Sequence, residues 1–188
     1  MNAKEEAIVT TAMQVFSRYG IRKTTMGDIA EAAGVSRQTL YNAYANKDEV
    51  LRAVIRLSTD QGIAAAKAAW SETDDFATKL DIFFEIGPLF WFDTVQAHPE
   101  SADLLEGANK ATSDALEETA KRWAREIGTL TEPFGPVLQK TGMTPKDLAD
   151  FIFSTSKAAK YTAENRAQMI TRLNMLKASV LALISSTP

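Results

Sequence analysis

Apolar residues recur along this chain at the spacing of a helix, over long stretches and with few interruptions. Residues 3 to 19 place Ile8, Ala12, Val15 and Phe16 at i, i+4, i+7 and i+8, one face of a helix that Gly20 stops. The same period returns in Val50, Leu51, Val54 and Ile55, in Ala115, Leu116, Thr119, Trp123 and Ile127, and in Leu148, Ile152, Thr155 and Ala159. It closes with Ala167, Ile170, Leu173, Leu176, Val180 and Ile184 before a short tail of Ser, Thr and Pro. Runs rich in β-branched residues are few. The pattern predicts an all-α chain of about nine helices.

Residues 24 to 51, TTMGDIAEAAGVSRQTLYNAYANKDEVL, are the most tightly punctuated part. Thr25 is an N-cap, and Asp28 three residues later completes a capping box. Met26, Ile29, Ala30 and Ala33 share one face, and Gly34 closes the helix in the left-handed conformation. Ser36 caps the next helix, roughly Arg37 to Ala43, which turns Leu40 inward and leaves Arg37, Gln38, Thr39, Tyr41 and Asn42 largely outside. Asn46 and Glu49 pair as the cap of a longer helix from about Lys47. Two helices joined by a turn of three or four residues, the second short and polar outside, make a helix-turn-helix. Such a second helix fits the major groove: arginine pairs with guanine, glutamine with adenine, and a threonine methyl touches thymine.

Read in order, AMQVFSRYGIRKTTMGDIAEAAGVS through TLYNAYANKDEVL resembles the TetR family of bacterial transcriptional regulators, over roughly the first 55 residues. The resemblance implies a three-helix DNA-binding domain, residues 1–50, and a larger helical ligand-binding and dimerisation domain, residues 51–188. It implies DNA contacts from Thr25, Ser36, Arg37, Gln38, Thr39, Tyr41, Asn42 and Lys47. Of these, Lys47 and the Tyr41 hydroxyl would meet the phosphate backbone. The alternatives are a solvent-exposed lysine and a ring covering the edge of the small core. Gln38 stands where many members have glycine, and Ala43 where many have an aromatic residue or histidine. The first adds a possible base contact; the second removes one to sugar or phosphate.

Beyond residue 55 the resemblance implies a homodimer whose last two helices pair with their symmetry mates. Phe151, Ile152, Thr155, Ile170, Leu173, Leu176 and Val180 are the candidate seam, the other reading being two helices buried within one subunit. The middle region holds the densest aromatic content, interrupted by Gly87-Pro88, where proline should kink or break a helix. Phe83, Phe84, Phe90, Trp91, His98 and Trp123 are candidates for lining a ligand cavity, with Asp93, Gln96 and Asn109 as polar partners. The plain alternative is that these aromatics are ordinary core and that His98 precedes a proline at a helix start. The effector expected is a small apolar or amphipathic molecule, and the function a ligand-relieved repressor acting on a palindromic operator.

Composition changes this picture little. With 188 residues, 45% of them hydrophobic, the chain can hold one or two domains. The net charge of −3 divides into +2 over residues 1–56 and −5 beyond, so the basic end is the one with the helix-turn-helix. The chain holds no cysteine and a single histidine, and its paired carboxylates are adjacent in sequence, where helical side chains diverge. An enzyme is therefore not expected, nor a metal or cofactor. The N-terminus lacks a signal-peptide core and no run of apolar residues is long enough to span a bilayer, which suits a cytoplasmic protein. The remaining rival is an all-helical protein-interaction module with vestigial DNA binding.

Overall fold

A computed structural model of the chain describes residues 1–97 and 110–185, and among these it is helical throughout, with no strand. Ten α-helices follow one another: α1 Ala3–Tyr19, α2 Met26–Ala32, α3 Arg37–Ala43, α4 Lys47–Trp70, α5 Phe76–Phe84, α6 Phe90–Ala97, α7 Lys110–Thr131, α8 Gly135–Gln139, α9 Pro145–Thr162 and α10 Arg166–Ser185. A π-helical turn, Glu85–Leu89, joins α5 to α6, and a 3-10 turn, Glu132–Phe134, precedes α8. The short helix expected near residues 100 to 106 lies outside the described residues.

Two compact units divide the chain. The first comprises Met1–Gln61 with Thr94–Thr119, the second Gly62–Asp93 with Ala120–Pro188. The boundary drawn from sequence at residue 50 falls near the start of α4, whereas the units part within that helix, after Gln61.

Local chemistry sets the first unit. Asn2 with Glu5 and Thr25 with Asp28 form reciprocal capping boxes at the starts of α1 and α2. Gly20 and Gly34, at φ of 78° and 63°, take the turns that follow them. Ile8, Val9, Ala12 and Phe16 of α1 meet Ile29 and Ala30 of α2, Leu40 of α3, and Val50, Leu51 and Val54 of α4 in one core. Ala115 and Leu116 of α7 pack against its edge.

The second unit has its own core. Ile63, Ala66 and Trp70 of α4, Leu80, Phe83 and Phe84 of α5, and Trp123 and Ile127 of α7 pack with Leu148 and Ile152 of α9 and Met169, Leu173, Leu176 and Val180 of α10. Thr144 and Asp147 cap α9, with Pro145 at its first position. At Gly87-Pro88, where a kink or break was expected, the helix does not break: the chain widens by a residue into the π-helical turn and stays helical into α6. A π turn shifts the hydrogen-bond register, so the missing proline N–H and its ring are absorbed without ending the helix. Two ion pairs tie this run to α10: Lys177 Nζ to Asp81 at 2.6 Å, and Arg166 Nε to Asp93 at 3.1 Å.

The candidate seam requires correction. Ile152, Leu173, Leu176 and Val180 are at most 4% exposed within their own chain, and Ile170 and Thr155 are half-buried. Of that set only Phe151, 47% exposed, faces fully outward. The periodicity identified a buried stripe correctly, but the stripe belongs to the subunit's own core.

Candidate nucleic-acid interface

The exposed side of α3 is built by a few local contacts. The Ser36 hydroxyl accepts from the Thr39 backbone N–H at 3.0 Å and shares a hydrogen with the Thr39 hydroxyl at 2.9 Å. This N-cap fixes where the helix begins. Leu40, fully buried, is the only residue of α3 driven into the core, so the orientation of the short helix hangs on that one side chain. Val35 is held nearby by its N–H, which donates to the Ala30 carbonyl at 3.0 Å and closes the turn between the two helices.

That arrangement leaves Arg37, Gln38, Tyr41 and Asn42 exposed on one seven-residue helix, with Ser36 exposed at its cap and Thr39 half-buried. Gln38 Nε2 donates to Asn42 Oδ1 at 2.9 Å, so the two amides form a bonded pair one turn apart. Tyr41 is 50% exposed. Thr25 stands exposed at the start of α2, its hydroxyl engaged with Asp28 at 2.9 Å. The Asp28 carboxyl is held below its ordinary pKa by the Thr25 backbone N–H, then by the Thr25 hydroxyl, and to a lesser degree by the Arg37 charge.

Lys47 is placed otherwise than expected. Its ammonium turns back and donates to the carbonyls of Ile21 at 2.6 Å and Thr24 at 2.8 Å, and the side chain is half-buried. Loop carbonyls have no helical ladder to satisfy them, and a lysine at the head of α4 is long enough to reach them. Two of its three donors are thus committed to the α1–α2 loop. No spacing pattern points to this, since the partners lie 26 and 23 residues away.

Gly27 is a further residue that hydrophobic periodicity does not single out. It lies inside α2, where a Cβ would sit 2.9 Å from Arg37 Nη2. The available signal was a glycine within a helix at a position with no turn to make.

Among the ligand-lining candidates, Phe83, Phe84 and Trp123 are buried and mutually packed, with ring centroids 5.6 Å apart for Phe83–Phe84 and 5.4 Å for Phe83–Trp123. Phe90 is 51% exposed and meets Trp91 edge-on at 5.3 Å. Asp93 is engaged by Arg166. His98 and Asn109 lie outside the described residues.

A three-helix head capped at each turn, with a short polar helix held outward by one buried leucine, defines a helix-turn-helix protein. Residues 8–54 match the family model described as "Bacterial regulatory proteins, tetR family". That match covers the helix-turn-helix head, from within α1 to the first turns of α4, and there the chain is similar to the TetR family. It is 29% identical over 138 residues to the HTH-type transcriptional regulator RutR of Escherichia coli K12, a match covering 66% of this chain and 64% of RutR. It is 27% identical over 164 residues to the HTH-type transcriptional repressor LfrR of Mycolicibacterium smegmatis, covering 79% of this chain and 86% of LfrR. The fold is shared with the Bacillus subtilis regulator FadR, solved in complex with stearoyl-CoA. There the TM-score is 0.68 at 18% identity, over 97% of this chain and 99% of that one. No helix among the described residues is long and apolar enough to cross a membrane.

Proposed function

We propose that this chain is a sequence-specific DNA-binding transcriptional regulator that represses by occupying a palindromic operator as a homodimer and releases it on binding a small molecule. The observation that carries the reading is α3: a short helix with one buried side chain and an exposed row of Arg37, Gln38, Tyr41 and Asn42. That row has the donors and acceptors that base edges and phosphates require. The family match spans this head, and relatives named as transcriptional regulators and as a repressor support the regulatory role. No observation favours a protein-interaction module in its place.

In this reading residues 1–50 are the DNA-binding domain and residues 51–188 carry dimerisation and ligand binding. Dimerisation uses the outer faces of α9 and α10, where Phe151, Tyr161 and Met175 are exposed, rather than the buried stripe. A dimer is needed because one recognition helix covers too few base pairs to select a site. The effector is apolar or amphipathic and enters among the aromatics of the second unit. FadR's stearoyl-CoA, on a shared fold, supports that class. A ligand favouring the DNA-incompetent state lowers operator affinity by the factor by which operator lowers ligand affinity.

The test is a fluorescence-anisotropy titration against the DNA flanking the gene, scanned for inverted repeats. A specific regulator binds one palindrome far more tightly than scrambled duplex, and its affinity falls with salt in proportion to the phosphates neutralised. Equal affinity for all duplexes, or no salt dependence, defeats the proposal.

A further inference from the structure

Gly27 is a glycine with no backbone reason to be one. It stands inside α2, and the glycines with positive φ among the described residues are Gly20, Gly34 and Gly142. Alanine is the better helix former at such a position. What Gly27 provides is room. The three atoms nearest to where its Cβ would be all belong to Arg37: Nη2 at 2.9 Å, Cζ at 3.2 Å and Nε at 3.3 Å. Distances this even, from three atoms of one plane, mean that the guanidinium lies across the backbone of the first turn of α2. Asp28 is the next residue, and Arg37 is among the charges that favour its ionised form. Arg37 begins α3, yet its head group rests on α2.

We infer that Gly27 is a specificity-determining position: by leaving the first turn of α2 bare, it seats the Arg37 guanidinium and so fixes which base pair that arginine reads. The inference rests on the DNA-binding reading above. Arginine discriminates guanine through two parallel donors, and that geometry tolerates little displacement of the plane. A long side chain loose in solvent would have to be ordered at the moment of binding, whereas one already lying against α2 is in part pre-ordered. A methyl at position 27 would not fit beneath the guanidinium. The flexible arm, not the helix, would give way.

The test is a double-mutant cycle of Gly27→Ala, Arg37→Ala and the combination, on an operator first defined by selection with the wild-type protein. Arg37→Ala is expected to lower preference at one base pair by about fivefold to a hundredfold. Gly27→Ala lowers preference at the same base pair by about fivefold or more, and the double variant is no worse than Arg37→Ala alone. Thermal midpoints of Gly27→Ala equal to or above wild type exclude unfolding as the cause. Without DNA, the Arg37 Nε–H resonance shifts in Gly27→Ala, reporting the lost seat. An unchanged base preference in Gly27→Ala, a loss spread equally over all sequences, or a loss that persists without Arg37 would each overturn the inference while leaving the regulator reading intact. A wild-type protein with no sequence preference would overturn both, and the resonance alone would then report whether Arg37 is seated.

Discussion

Replacing Lys47 by methionine separates two roles that the residue can have in a DNA-binding head. Methionine keeps the unbranched stem and removes the ammonium, so the carbonyls of Ile21 and Thr24 lose their donors at 2.6 and 2.8 Å. Hydrogen bonds to a charged group contribute about 1.5–3 kcal/mol each in favourable cases. The side chain is half-buried, water can replace part of each bond, and the expected loss is about 1–3 kcal/mol for the pair. For a chain of this size that corresponds to a fall in Tm of roughly 2–10 °C. Trp70, Trp91 and Trp123 belong to the second unit, so tryptophan fluorescence would miss a loss confined to the first. Hydrogen exchange over residues 21–26, with far-ultraviolet circular dichroism for the whole chain, is the appropriate readout. If the clamp is the main role, exchange there accelerates while the slope of log affinity against log salt stays as in wild type. A variant with wild-type exchange and a slope reduced by about one would show Lys47 to be a phosphate anchor, and the clamp argument would fail.

Three further outcomes follow from the geometry. Leu40→Ala removes the single side chain that anchors α3, and a loss of about 2–5 kcal/mol is expected by urea denaturation, with operator affinity falling in parallel. Asp28, Asp75 and Asp147 each accept bonds at a helix start and have lowered pKa values, from backbone and hydroxyl donors of Thr25, Thr78 and Thr144. Their stabilisation is therefore present above the ordinary value of 3.8 and lost as pH falls through the lower folded values, where the unfolded chain takes up more protons. Asp147→Asn should flatten the acid limb of the stability profile, and an unchanged limb would refute the attribution. Met175→Glu, at a site 65% exposed, should convert a dimer to a folded monomer by light scattering, whereas Leu173→Ala should destabilise the fold; a dimeric Met175→Glu would move the seam elsewhere.

What could be read from the sequence was what is decided locally. Capping boxes act over three residues, so Thr25 with Asp28 was visible as letters, and so was the left-handed Gly34. Leu40 followed from periodicity in a helix too short to bury anything else. The loop contacts of Lys47 were not legible because its partners lie across the unit, and no spacing rule connects residue 47 to 21 and 24. Pro88 was expected to kink or break a helix; the α geometry is interrupted there, but a π turn keeps the chain helical by changing the register. Phe151 and Ile152 show a different limit. They are neighbours in sequence and about 100° apart on a helix. One is 47% exposed and the other fully buried, and only packing decides which of two apolar faces turns inward.

That same division clarifies what the outer face of α10 can do. Met169, Leu173, Leu176 and Val180 are consumed by the subunit core, which leaves Ala167, Thr171, Asn174, Met175, Ala178, Ser179 and Ala182 facing out. Arg172 and Lys177 are half-buried, and Lys177 pairs with Asp81, so neither adds a charge to that exposed set. The exposed hydroxyls are also spent: Thr171 Oγ1 donates to the Ala167 carbonyl at 2.9 Å and Ser179 Oγ to that of Met175 at 2.8 Å. Back-bonding of this kind satisfies the hydroxyl proton within its own helix, so covering the face strands few donors. Small side chains let a second helix approach closely, and Met175 is the flexible apolar group suited to fill an uneven gap. A solvated helix face is ordinarily rich in lysine and glutamate. The apolar stripe offered as the seam belongs to the core, but the opposite face, small and uncharged with Asn174 as its one amide, supports the same pairing from the other side of the helix.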